Sequence, residues 1–168
     1  GLGLCRDPRI DVVVEVMGGE GAHELITAAL GAGKSVVTAN KLLVATRGDE
    51  LLALAVEKGV DLAFEGAVGG GIPIVRTLRE AFASDQVSAV SGIVNGTCNY
   101  ILTSMLEKRL PMAEALRQAQ ELGYAEADPS MDIDGHDAAH KLCILALLAF
   151  GAWVPPGAIA VEGIRPIE

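Results

Sequence analysis

The chain is short of positive charge, of paired cysteines and of long apolar runs, and each shortage argues against a class of function. Lysine and arginine number 13 against 22 aspartates and glutamates, a formal net charge of −9. A nucleic-acid binder needs a basic face, so this balance argues against one. Cys5, Cys98 and Cys143 are odd in number, widely spaced and include no C-x-x-C pair. They read as reduced, mostly buried thiols of a cytosolic protein. The longest uncharged apolar stretch, Leu142 to Val154, is shorter than the roughly 20 residues a membrane helix needs, so it reads as core. No signal peptide is visible. A glycine-rich phosphate loop is also missing. Gly1-Leu2-Gly3 is followed by Arg6 where a third glycine would complete G-x-G-x-x-G, and no strand precedes it. Residue 1 is glycine rather than methionine, so the chain reads as a fragment.

What is present alternates between strand and helix patterns. The 168 residues, 51% hydrophobic, suffice for one domain or two small ones with a substantial core. Ile10 to Val16 is a β-branched run between Pro8 and Gly18-Gly19, and it reads as a strand buried on both faces of a parallel sheet. His23 to Leu30 reads as a helix with Gly31 and Gly33 as stop signals, and Ser35 to Thr38 as a second strand. Together they make one βαβ unit. Gly48 to Lys58 reads as another helix, and Asp61 to Phe64 as a strand. Ligands of open parallel sheets collect beyond the carboxyl ends of the strands. Lys41, in Ala39-Asn40-Lys41, therefore stands where a cofactor or substrate would lie, although a loop lysine is also commonly just solvated.

Glu65 to Val75, EGAVGGGIPIV, is a glycine-rich turn with Pro73 placed for the first turn of a helix. Such a turn can cradle an anion with its amides. Here Glu65 and exposed carbonyls favour a hard cation, and a tight turn with no ligand is the plain alternative. Val87 to Val94 reads as a strand of a second sheet. Asn95-Gly96 signals a turn, with Thr97 as N-cap of a helix over Asn99 to Lys108. Asn95-Gly96-Thr97 is also a glycosylation sequon, discounted because nothing points to secretion. Met112 to Leu122 reads as a helix with one apolar face, capped by Gly123. Ala158 to Ile164 reads as a last strand.

The stretch Ala119 to Lys141 concentrates the charge: Glu121, Glu126, Asp128, Asp132, Asp134, Asp137 and finally Lys141. Asp128-Pro129 stops the preceding helix, which leaves Asp132 and Asp134 in a loop. Asp137 to Phe150 reads as one helix, on which Asp137 and Lys141 share a face. Spacing alone serves two readings. One is a pocket for a small zwitterionic substrate; the other is an i,i+4 ion pair on a solvated helix beside an acidic loop. His136 and His140 have zinc-compatible spacing but no evident third ligand.

Three segments resemble homoserine dehydrogenase. The first begins at Ala119, takes in Gly123-Tyr124-Ala125-Glu126-Ala127-Asp128-Pro129, continues through Asp132-Ile133, Gly135 and Asp137, and closes on Lys141. The others are EGAVGGGIPIV from Glu65 and GIVNGTCNYILTSM from Gly92. The resemblance runs from about Ile10 to Phe150. It implies an α/β fold: a partial Rossmann-type parallel sheet, followed by an α+β substrate-binding and dimerisation domain. The division falls at residues 1–62 and 63–168. It implies reversible reduction of aspartate semialdehyde to homoserine with NAD or NADP, in a cytoplasmic homodimer with no nucleic-acid or membrane partner.

The resemblance also implies roles. Lys141 is the acid/base, with Lys41 assisting between cofactor and substrate. Glu126 binds the substrate ammonium, Asp132 and Asp137 bind substrate or orient Lys141, and Gly123 contributes backbone. Gly18 lets the backbone approach the nicotinamide side. A monovalent cation, sodium, is held by Glu65 and the carbonyls of Val68, Gly70 and Ile72. The missing phosphate loop leaves a second reading, a non-catalytic substrate-binding and dimerisation module.

Overall fold

The computed structural model describes residues 1–168. They pack as two compact units: Gly1–Val90 with His140–Pro156, and Ser91–Ala139 with Gly157–Glu168.

The first unit is built on three parallel strands, β1 (Val12–Glu15), β2 (Ser35–Thr38) and β3 (Leu62–Ala63), in that spatial order. A short helix α1 (Leu2–Arg6) precedes them. Helix α2 (His23–Gly31) connects β1 to β2, and α3 (Lys41–Lys58) connects β2 to β3. The two helices pack on each other, α2 also on β2 and α3 on β3. Ile26, Leu30, Val36, Leu43, Leu51 and Phe64 are fully buried there, each stabilising the unit by about 1.5–3 kcal/mol.

The β1–β2 register pairs Val13 with Val36 and Glu15 with Thr38. Side chains alternate across a strand, so Val36, Glu15 and Thr38 lie on the covered face. Val12, Val14 and Val37 lie on the other and are exposed, Val14 at 65%. The expectation of a strand buried on both faces is corrected. A β-branched run tolerates either environment, and no element of this chain packs over Val12 and Val14.

Helix α3 starts seven residues before the predicted Gly48. The Asn40 side chain accepts the Leu43 N–H at 3.2 Å and caps it. Gly48, read as a boundary, lies inside the helix. A Cβ there would stand 3.7 Å from Leu147 and 3.9 Å from Trp153, ordinary van der Waals contact, so the position has room for alanine. After β3 the chain makes a tight turn at Glu65–Ala67 and enters α4 (Ile74–Arg76), which widens into a π turn over Thr77–Ala81.

The second unit is helical. It holds α5 (Gly96–Lys108), α6 (Met112–Glu121), α7 (Ser130–Ile133) and the first turn of α8 (His136–Phe150), whose remainder belongs to the first unit. Ile101, Ala115, Ala119, Ala125 and Ile133 form its core, flanked by Tyr100, Leu116 and Ile164. Ala115 and Ala119 are one turn apart and leave α6 a smooth face against α5. Gly123, at φ +76°, ends α6, and the Tyr124 N–H reaches back to the Ala119 carbonyl at 2.8 Å.

Neither the second-sheet strand predicted over Val87–Val94 nor the last strand predicted over Ala158–Ile164 is formed. Val87–Val94 has no ladder partner. β-branched composition favours a pleated conformation, but a strand is stabilised by its neighbour, and this chain supplies none. Beyond Pro156–Ala158 the tail instead packs on α7. The Ile164 N–H donates to the Ile133 carbonyl at 2.8 Å. A Cβ on Gly163 would fall 2.6 Å from that same oxygen, so the close backbone approach requires glycine. No helix is long and apolar enough to cross a membrane.

Candidate active site

The carboxyl ends of β1 and β2 carry a buried hydrogen-bond network. Glu15, 4% exposed, accepts from the Thr38 hydroxyl at 2.6 Å, and from the Met17 and Gly18 amides at 2.7 and 3.0 Å. Thr38 in turn accepts the Asn40 N–H at 3.0 Å. The Asn40 side-chain amide donates to the Gly19 carbonyl at 2.8 Å while its oxygen caps α3. One set of bonds thus ties the Gly18-Gly19 turn to the start of α3. Gly18 and Gly19 both have φ +73°, and a Cβ on either would meet open space. The backbone there is left-handed, which favours glycine, and it is accessible to a ligand. Lys41 is the first residue of α3 and half-buried, a helix start rather than the expected loop.

The Glu65 turn is also organised by its carboxylate. Glu65 accepts the Val75 and Arg76 amides at 3.1 and 2.8 Å, so it caps α4. Gly69 and Gly70 have φ +79° and +59°. The Ile72 carbonyl accepts the Ile74 N–H at 2.8 Å, and Val68 is buried. Carboxylates and carbonyls have further lone pairs, so these bonds leave Glu65 and Ile72 capacity for a cation.

In the second unit the structure brings Asp132 and Asp137 together. The Asn95 amide donates one bond to each, at 2.7 and 2.8 Å. Asp132 sits on α7 rather than in a loop, and Asp137 is 2% exposed in the first turn of α8. Lys141 follows one helical turn later and is half-buried. Glu126 is exposed, and its carboxylate is outside the Asn95 bridge; its carbonyl accepts from Gln120 at 3.1 Å. The tail braces α7 through Arg165, which pairs with Asp134 and holds that carboxyl below the usual carboxylate range.

Cys98 lies beside the pair and donates its thiol to the Asp132 carbonyl at 3.2 Å. Burial raises its pKa, and the Asp132 and Asp137 charges add to that effect. A free cysteine is about half thiolate near pH 8.5. At that pH Cys98 is expected to alkylate several-fold more slowly than an unstructured cysteine. Site-resolved mass spectrometry checks this, and an equal rate contradicts it.

Three organising residues were missed in the sequence. Glu15 follows three valines inside a β-branched run, and a charge at a covered strand position was the signal. Asn40 caps α3. Asn95, not Thr97, caps α5 by accepting the Cys98 N–H at 2.8 Å. Thr97 lies inside the helix and donates to the Tyr124 carbonyl at 2.7 Å.

Residues 3–65 match the family model described as "Homoserine dehydrogenase, NAD binding domain", and residues 73–168 match the one described as "Homoserine dehydrogenase". The chain belongs to the homoserine dehydrogenase family. Homoserine dehydrogenases of Pseudomonas aeruginosa and Bacillus subtilis are 52% and 51% identical over 165 residues, 98% of this chain and 38% of each relative. The homoserine dehydrogenase structure from Thiobacillus denitrificans matches with TM-score 0.95 and 49% identity, over 99% of this chain and 39% of that one. A hyperthermophilic archaeal homoserine dehydrogenase in complex with NADPH matches with TM-score 0.89 and 34% identity, over 99% of this chain and 51% of that one. The chain thus spans about 38% of the curated homoserine dehydrogenases it matches. Its three-stranded parallel sheet corresponds to part of their Rossmann-type fold.

Proposed function

We propose that this chain carries the nicotinamide-side loops and the substrate-binding residues of a homoserine dehydrogenase that interconverts aspartate semialdehyde and homoserine. The observation that carries the reading is the pair Asp132 and Asp137, bridged by one amide and followed one turn later by Lys141. Family membership at about 50% identity supports it. The dividing line between cofactor and substrate parts is placed near residues 62 and 63.

The chemistry needs few groups. Reducing an aldehyde requires a proton at the oxygen and positive charge where alkoxide develops. Lys141 supplies that proton and takes it back in the reverse direction, with Lys41 assisting. Glu126 and Asp132 bind the substrate ammonium, Asp137 orients Lys141, and the left-handed backbone at Gly123 presents amide and carbonyl groups. NAD or NADP supplies and accepts the hydride. Gly18, Gly19 and Lys41 fit the nicotinamide side, since the turn is open and pinned by Glu15. The NADPH complex of the archaeal relative supports a phosphorylated cofactor. Sodium is assigned to Glu65 and the carbonyls of Val68, Gly70 and Ile72, where unused lone pairs remain. A homodimer and a cytoplasmic location complete the reading.

The test uses a longer protein that contains these residues. Glu126→Gln is expected to raise the KM for aspartate semialdehyde by roughly 10–100-fold, the worth of one hydrogen bond to a charged group. A pure turnover effect would move Glu126 from binding into chemistry. Nicotinamide cofactor binding by this chain alone tests the rival module reading. No detectable binding supports that module reading for residues 1–168.

A further inference from the structure

We propose that Asn95 is a positioning residue that sets the spacing of Asp132 and Asp137 through its side-chain amide and thereby aims Lys141. This rests on the function proposed above. Asn95 is 8% exposed, and three of its four hydrogen-bonding positions are used. Its oxygen accepts the Cys98 N–H at 2.8 Å at the start of α5. That bond decides which end of the amide is which. The nitrogen must face the two carboxylates, and it donates to Asp132 Oδ1 and Asp137 Oδ2.

Two carboxylates on neighbouring helices repel each other and have no reason to hold a common spacing. A neutral donor with two N–H groups, immobilised by the helix it caps, removes both problems. It satisfies one oxygen of each acid and adds no charge of its own. It also joins three elements: α5 through the cap, α7 through Asp132 and α8 through Asp137. Because Asp137 and Lys141 share one helix, an error at Asp137 is an error one turn from the lysine. Lysine in this place would add a positive charge beside Lys141, and serine has only one O–H to donate. Asparagine is the short side chain with two donors and one acceptor.

The test separates cap from bridge. Asparagine and aspartate are equally good N-caps, so Asn95→Asp preserves the start of α5 but abolishes both donated bonds. In the longer protein it is expected to lower kcat at least tenfold while leaving the cofactor KM unchanged. Asn95→Ser, also a good cap, is expected to do the same. Turnover within twofold of the unsubstituted protein for Asn95→Asp would overturn the inference and leave Asn95 only a cap. If the unsubstituted protein fails to reduce aspartate semialdehyde, the proposed function fails first. The positioning claim is then read from a crystal structure of Asn95→Asp. Separated Asp132 and Asp137 carboxylates with an intact α5 start support it, and unmoved carboxylates overturn it.

Discussion

Lys141→Ala in a longer protein carrying these residues is expected to lower turnover with aspartate semialdehyde by roughly 10²–10⁴-fold, the range typical of a positioned acid/base. Cofactor affinity should stay within a few-fold, because the loss is confined to proton transfer. The reason lies in the placement of the lysine. It is half-buried on α8, one turn after the buried Asp137, and in the same helix as the fully buried Ile144. A helix anchored by that core cannot rotate to bring another donor to the same point. Steady-state kinetics for both substrates check the result. Unchanged turnover would remove Lys141 from the chemistry.

Glu15→Ala is expected to cost about 1–3 kcal/mol of stability, from one buried donor left unsatisfied. The Thr38 hydroxyl is 1% exposed and loses its acceptor, and water cannot easily replace it. A buried donor left without a partner costs about 1–3 kcal/mol. The Met17 and Gly18 amides also lose an acceptor, but these residues are exposed and can turn to water. The shift in melting temperature should be roughly 2–12 °C for a chain of this size. Glu15→Gln keeps one accepting oxygen and should cost less. Thermal unfolding of the two variants side by side checks the order. An unaltered melting temperature for Glu15→Ala would mean that the network does not tie β1 to β2.

The legible parts of the sequence were those with local causes. β2 runs over Ser35–Thr38 as the β-branched pattern predicts, α6 stops at the glycine that caps it, and α8 begins just before Asp137. The illegible parts depend on partners far along the chain. Val87–Val94 has strand composition, but whether it pairs depends on a neighbour that this chain lacks. β1 looked buried on both sides because valine is common in either setting. Site legibility divides the same way. Asp132, Asp137 and Lys141 stood out by charge and spacing, and the structure brings the two acids together. Asn95 did not stand out, because a turn signal of Asn-Gly hides a side chain whose partners lie 37 and 42 residues later. Glu15 was hidden among valines, and only the register opposite Thr38 explains it.

A crystal structure of a longer protein bearing these residues, with homoserine and oxidised cofactor bound, tests the central assignment most directly. The substrate's ammonium should lie within hydrogen-bond distance of the Glu126 carboxylate, with its hydroxyl oxygen at the Nζ of Lys141. A hydroxyl facing away from that nitrogen, with the amino acid seated elsewhere, would contradict it.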